Sequence, residues 1–453
     1  MTDELRIVAV NGMLGYGYEL KSLEAAVGAK PHLMGCDAGS TDPGPYYLGS
    51  GKSLVRVDQI YRDLKPALVG ACRNKIPFVI GSAGFSGARP NLELTLDVVR
   101  RICREEDLHF KLGIIRSDVG KTTVVDALAA DDIEPMPGAP RLTREHVEQS
   151  THIVGQIGTA PYIAAFEQGA DVVIAGRSCD TAIYAALPIA RGYDPGLALH
   201  MAKIMECGAQ CGIPLAPNDC LMGTIRRDHF LVRPLADYRV CTPESVAAHT
   251  MYEQGNPFLL YEPEGIVDVR EADFRQVDRQ AVRVSGSRFV PADTLRIKLE
   301  GARRIGARAF TIAGARDRHV IAQLEVIEQT VCDAVRRNLN AEALEAGYQL
   351  YFRYYGKNGV LGELEPSRVD PAEVGILIEA IAPTQALASY VLSLARSSYL
   401  HCPFVGRKAT AGNLAFPFSP SDFEGGDVYE FSVYHLMKVK DQRALFPVEL
   451  EMI

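Results

Sequence analysis

Five separate stretches of the chain carry side chains that could hold and deprotonate a small polar molecule. Gly35-Cys36-Asp37-Ala38-Gly39-Ser40-Thr41-Asp42-Pro43-Gly44 packs two carboxylates, two hydroxyls and three glycines into ten residues. A second Gly/Ser loop, Gly81 to Gly87, contains Ser82. Arg177-Ser178-Cys179-Asp180 sets a guanidinium just ahead of an expected helix start, where free backbone N–H groups and a bidentate donor suit a carboxylate or phosphate. Glu206 and Gln210 stand four apart after a helical segment and are expected to share a face. Arg407 and Lys408, beside Thr410 and Asn413, form a second anion-binding constellation. Removing a proton beside a carboxylate needs a base near the working pH and donors for the developing charge. Asp37 or Glu206 fits the base and Asp180 its partner. Ser40, Thr41, Asp42, Ser82, Arg177, Ser178, Arg407 and Lys408 are the expected substrate contacts. Converging acids could equally hold Mg²⁺ or another hard cation, so the cofactor is left open.

Each stretch also has a plainer reading. The first could be a turn stabilised by Asp and Pro. Arg177 could be a structural ion pair with Asp180 or Asp37, and Arg407-Lys408 a solvated basic turn.

The elements that must position these residues alternate in a regular way. Arg6 to Val10 reads as a buried strand entering a glycine-punctuated loop, followed by a helix near Glu19 to Val27. His32 to Met34 leads into the first acidic stretch, and a helix from Ser53 to Lys65 follows. Pro77 to Ile80 is a strand that runs into the Gly81–Gly87 loop, then a helix from Asn91 to Glu106. Phe110 to Ile115 ends in Arg116-Ser117-Asp118, and Asp171 to Ala175 leads into Arg177, with Asp180 a candidate cap for a helix at Thr181. Strand, polar loop and helix, repeated, is the pattern of a parallel sheet. Loops after such strands share one edge, so Asp37, Ser82 and Asp118 are expected to converge there.

The composition changes around Pro214 to Pro217. From about Leu231 to Leu299 short alternating strands dominate, with one helix at Pro243 to Glu253, which predicts a more antiparallel region. A long helix from Asp317 to Leu339 precedes strands at Tyr348–Tyr354, Val374–Ile381 and Val428–Leu436 and a helix from Thr384 to His401. The expected organisation is α/β. Residues 1–230 form a parallel-sheet domain carrying the site, 231–345 a mixed strand-rich region ending in a long helix, and 346–453 a C-terminal α+β unit.

With 453 residues the chain is too long for one core. Its 47% apolar and 23% charged content are those of a globular protein. A net charge of −8 argues against a nucleic-acid surface. No run reaches a membrane span and no signal peptide is evident, so a cytoplasmic protein without membrane partners is expected. Ten scattered cysteines read as reduced thiols. Cys207, Cys211 and Cys220 lack the paired spacing of a structural zinc site. Gly12, Gly15 and Gly17 do not make a dinucleotide fingerprint, and no P-loop occurs.

Ile157-Gly-Thr-Ala-Pro161, together with Gly169-Ala-Asp-Val-Val-Ile-Ala-Gly-Arg-Ser-Cys-Asp180, resembles the signature of the acyclic terpene utilisation A (AtuA)-like family. Gly81-Ser-Ala-Gly-Phe-Ser-Gly87, Glu206-Cys-Gly-Ala-Gln210, Thr242 to Glu253 and Val282-Arg-Val-Ser-Gly286 are similar to it as well. The likeness extends to at least residue 315. Relatives with an appended domain carry Ala-Arg-Ser-Gly-Asp-Lys-Gly, whereas this chain has Ala395-Arg396-Ser397-Ser398 and a tail like Gly406-Arg-Lys-Ala-Thr-Ala-Gly412. Relatives with that tail often sit beside a small ferredoxin-like companion protein and genes of carboxylate breakdown. The resemblance thus implies a catabolic setting and a companion protein, without a settled reaction.

Residues and resemblance together favour a lyase of the hydratase or dehydratase kind, acting on a di- or tricarboxylate or an acyl thioester, in a homo-oligomer. One alternative is hydrolysis of an amide, ester or thioester, with Cys36, Cys179 or Ser178 as nucleophile and His32 or His401 as base. The other is a non-catalytic ligand-binding subunit of a heteromeric complex.

Overall fold

The computed structural model describes residues 4–215, 218–252, 255–367 and 370–453. Five short strands form the parallel centre of a ten-stranded sheet: β1 (Leu5–Ala9), β2 (Leu33–Asp37), β3 (Phe78–Gly81), β4 (Lys111–Ile115) and β5 (Val172–Ala175). Their spatial order is β1-β2-β3-β5-β4, so β5 slots between β3 and β4. Antiparallel strands extend both sides: Leu221–Ile225, Phe230–Pro234, Val282–Ser285 and Asp273–Gln276 beyond β1, and Val448–Met452 beyond β4. The fold is α/β.

Side chains alternate across a strand, and here both faces are apolar. Ile7, Ala9, Leu33, Val79, Val173 and Ala175 join one core. Val8, Val10, Met34, Cys36, Phe78, Ile80, Val172 and Ile174 join the other. Burial on both faces explains why these strands read as continuous apolar runs. Helices Leu20–Gly28, Val57–Arg73 and Arg89–Glu106 cover the second face, and Thr159–Glu167, Ala182–Ala190 and Pro195–Met205 the first. Each fully buried Val, Leu or Ile contributes about 1.5–3 kcal/mol. The last two helices are apolar nearly all round and are buried along most of their length, which makes them inner helices.

The chain divides into two compact units, 1–303 with 431–453, and 304–430. In the first, a three-stranded antiparallel sheet joins Leu259–Glu262, Gly265–Asp268 and Arg288–Pro291. There too, the start of the long strand Arg296–Ala315 pairs with His152–Gly155. The strands expected after Leu231 are antiparallel, as read from their alternation. The second unit pairs Gln349–Tyr355 and residues 307–315 with opposite sides of Val374–Ala382, and packs helix Gln385–His401 with Leu324–Asn338.

Several local expectations differ. The helix expected to stop at Lys65 begins at Val57 and continues through Pro66 to Arg73. The single helix expected over Asp317–Leu339 is two, Arg318–Ala322 and Leu324–Asn338, broken at Gln323. Asp180 does not cap the next helix, whose N-cap is Thr181. Helix Pro243–Met251 is held by a reciprocal Thr242–Ser245 capping box. Its expected end at Glu253, and the composition change at Ala216–Pro217, lie outside the described residues. No helix among the described residues is long and apolar enough to cross a membrane.

Candidate active site

The carboxyl ends of β1, β2 and β3 line up residues on one face of the sheet. Ala9 is paired with Gly35 and Asp37 with Gly81. Two positions beyond Ala9, Asn11 falls beside Asp37, on the side covered by helix Ala182–Ala190. Gly81 completes the row without a side chain, because a Cβ there would meet Ile183 Cγ2 at 2.6 Å and the Tyr162 hydroxyl at 3.3 Å.

Arg177, two residues past β5, is 3% exposed and organises the next layer. Its Nε donates to Glu300 Oε2 at 2.8 Å. Its Nη1 donates to Ser82 Oγ at 3.3 Å and to the Ser178 carbonyl at 3.0 Å, and lies 3.6 Å from Asp180 Oδ1. Its Nη2 makes no hydrogen bond among the described residues. Glu300 is fully buried and also receives Lys298 Nζ at 2.8 Å and the Thr41 hydroxyl at 2.9 Å. Burial opposes the charge on Glu300, but Arg177 and Lys298 outweigh it and hold the carboxyl down at about 2.

Beyond this ionised knot lies a set of acids pushed the other way. Burial, then the nearby Asp180 charge, raises Asp37 well above the carboxylate range, with Arg177 pulling against them. Desolvation raises Asp180, again opposed by Arg177 and then by Lys203. Burial raises Glu206 to about 8 despite its contact with the Lys203 ammonium. Glu262 is pushed up to about 7 by burial while accepting from the Thr181 hydroxyl at 2.7 Å and Cys179 Sγ at 3.0 Å. Tyr252 donates to Glu206 Oε1 at 3.2 Å, and Lys203 Nζ sits 4.6 Å above its ring. Carboxyls outnumber cations here, so protons are shared among the acids near neutral pH. Paired acids of shifted pKa in one place suit general acid–base chemistry.

The chain thus brings Asp37, Asp180 and Glu206 within one another's fields, and joins Ser82, Ser178 and Thr41 to them through Arg177 and Glu300. Ser40 serves its own turn, accepting from the Asp42 N–H at 3.2 Å. Asp42 is exposed, although its charge reaches Asp180. Glu206 ends its helix as a buried C-cap while Gln210 is exposed, so the two do not share a face. Asp118 is three strands from Asp37 in the sheet order, about 14 Å at the usual strand spacing, and accepts from the Arg89 N–H. It does not join the cluster. Arg407 and Lys408 belong to the second unit, where Arg407 donates to the carbonyls of Ala409 and His401 and so closes its own turn.

Glu300, Lys298, Lys203, Glu262, Asn11 and Tyr184 were not foreseen. Lys203 had a signal: a lone ammonium in an apolar helix, three residues before Glu206. Among the described residues no hydrogen bond joins Cys36, Cys179 or Ser178 to His32 or His401. Ser178 Oγ donates to the Gly176 carbonyl and lies 2.6 Å from the Tyr162 hydroxyl. His32 accepts from the Arg6 N–H at the far end of β2, and His401 is in the second unit. No cluster of three or more His, Cys, Asp or Glu side chains among the described residues is arranged to hold a metal ion. A hollow of about 440 Å³ lined by Val57, Pro90, Leu94 and Val98 lies on the outer helices, away from these groups.

The family follows from the breadth of one match. The acyclic terpene utilisation family (protein AtuA) matches residues 57–213 and 234–413. The chain belongs to this family. The AtuA match takes in Ser82, Arg177, Ser178, Asp180, Lys203, Glu206 and Glu300, and begins after Asn11 and Asp37. It reaches through the Gly406–Gly412 tail, beyond the likeness read from the motifs. No curated protein and no solved structure matches the chain.

Proposed function

We propose that this AtuA family member is a lyase of the hydratase or dehydratase kind in the catabolism of small branched acyclic acids or their thioesters. Family membership supports the catabolic setting. The reaction class is supported by one observation: the buried Asp37 and Glu206 and the partly exposed Asp180 lie within one another's fields, and each is raised above the ordinary carboxylate range. Dehydration needs a base for the proton on the α-carbon and an acid for the departing hydroxyl. Glu206 takes the α-proton. The C–H electron pair becomes the new double bond, the β-carbon–oxygen bond breaks, and Asp180 protonates the hydroxyl, which leaves as water. Hydration reverses each step. Lys203 and Arg177 offset the charge that develops beside them.

The test is turnover of enoyl and 3-hydroxyacyl thioesters, and of di- and tricarboxylates, by the purified chain alone and with its proposed ferredoxin-like companion. Glu206→Gln should lower turnover by about 10²–10⁴-fold. Undiminished turnover in Glu206→Gln would overturn the assignment.

A further inference from the structure

We propose that Asn11, Tyr184 and Asp37 form an oxyanion pocket for a carbonyl oxygen, so that the substrate is an acyl thioester or related carbonyl compound passing through an enolate. This rests on the acid–base reading of the same site and selects between its two substrate classes.

Asn11 is fully buried, yet neither its Oδ1 nor its Nδ2 has a hydrogen-bond partner among the described residues. The Tyr184 hydroxyl is fully buried and equally unpartnered, as is Asp37 Oδ1. Buried polar groups are nearly always hydrogen-bonded, and leaving one unmade costs about 1–3 kcal/mol. Of the twelve such side-chain atoms among the described residues, four belong to these three residues. Asn11 lies two residues past Ala9, the partner of Gly35, and Asp37 lies two past Gly35 at the end of β2, so both continue one row, and Tyr184 belongs to the helix laid over that face. Tyr184 lies within the field of Asp37 and Glu206. Gly81 leaves room beside Asp37 for Ile183 and the Tyr162 hydroxyl, and the Asn11 backbone is braced by Gly208, where a Cβ would meet the Asn11 carbonyl carbon at 3.0 Å.

The chemistry of the three groups is what selects the ligand. Burial raises both the Tyr184 phenol and the Asp37 carboxyl, which favours their neutral, donating forms, and the Asn11 amide adds an N–H. A free carboxylate would add negative charge where carboxyls already outnumber cations. A carbonyl oxygen arrives neutral and becomes negative only as the α-proton leaves, so donors aimed at it favour the transition state over the ground state. When Glu206 takes that proton, the C–H pair forms the enolate carbon–carbon bond and the carbonyl π pair moves onto oxygen, where the donors meet it. The enolate then expels the β-hydroxyl with a proton from Asp180.

Phenols are the probe, because a phenolate resembles an enolate in charge and shape. Calorimetric binding of a series of para-substituted phenols is measured on the full chain, with Tyr184→Phe and Asn11→Ala compared at matched thermal stability. Wild type should bind them, each substitution should weaken binding about tenfold or more, and succinate should not displace them. Unchanged binding in both folded variants, no binding by wild type, or displacement by succinate would overturn the pocket. Thioester turnover that is lost in Glu206→Gln, while phenol binding ignores Tyr184→Phe, rejects the pocket and leaves the acid–base site standing. Phenol binding lost in Tyr184→Phe, with turnover intact in Glu206→Gln, supports the pocket and rejects Glu206 as base.

Discussion

Arg177 and Glu300, 123 positions apart, meet in a 2.8 Å bond from Nε to Oε2, and Glu300 is fully buried. The pair makes Arg177 less a free clamp than the hub of a frame. Through it the loop after β5 is tied to Ser82 after β3, and through Glu300 to Thr41 after β2. What remains for a ligand is Nη2 and the acids behind it.

Arg177→Lys should therefore destabilise the fold as well as impair the site. A lysine reproduces the charge but cannot serve Glu300, Ser82 and the Ser178 carbonyl at once. Breaking a buried, hydrogen-bonded pair costs about 3–5 kcal/mol. Denaturant unfolding should show a loss of that size. An unchanged midpoint would mean the frame carries little.

Glu300 and Glu206 should respond to pH in opposite directions. Folded Glu300 titrates at about 2, below its ordinary 4.5, so its contribution is present above pH 4.5 and is lost as pH falls through about 2. Glu300→Gln should flatten the acid limb of a stability–pH curve. Glu206 titrates at about 8, above its ordinary 4.5, so its contribution is present below pH 4.5 and is lost as pH rises through about 8. Glu206→Gln should flatten the alkaline limb. In wild type, kcat/KM should rise through a limb near pH 8 as the base ionises. A profile flat from pH 6 to 9 would contradict this.

Much of this frame could be read from the chain. β1, β2, β3 and β5 announce themselves because strands buried on both faces are apolar throughout, and polar glycine loops follow each. Asp37 closes β2, and Arg177 and Asp180 lie in the loop after β5. Glu300 was harder, because its strand alternates like an ordinary antiparallel edge and nothing local marks a buried carboxylate. Tyr184 and Asn11 were harder still. A tyrosine within Ala-Ile-Tyr-Ala-Ala-Leu reads as core, and only the helix over the strand ends turns its hydroxyl into a site group. Composition alone also does not show that Arg407 donates to the nearby His401 and Ala409 carbonyls, which only the folded turn brings within reach.

Cys179→Ala should retain turnover. The thiol is pushed up by burial and then by the Glu262 charge, and its Sγ is 3.0 Å from Glu262 Oε2. It is therefore a thiol rather than the thiolate that covalent catalysis requires. Inactivation by alkylation that Cys179→Ala abolishes, with loss of turnover in the variant itself, would revive the hydrolase reading.

Gly87→Ala is the most damaging single-methyl change expected near the site. Gly87 has φ +72°, and a Cβ there would stand 1.9 Å from the Arg177 backbone N and 2.5 Å from its Cα. Neither atom can swing aside as a side chain would, and the Gly87 carbonyl also accepts the Ser117 hydroxyl at 2.8 Å, which in turn accepts the Arg177 N–H. Left-handed φ adds about 1–2 kcal/mol to the steric cost. Gly81→Ala meets only side chains, the nearest being Ile183 Cγ2, so repacking should limit its cost to about 1–3 kcal/mol. Comparing the two by thermal unfolding and turnover separates backbone from side-chain crowding. Gly87→Ala should lose both properties, and Gly81→Ala mainly activity, through displacement of Ile183 and the Tyr162 hydroxyl next to Asp37.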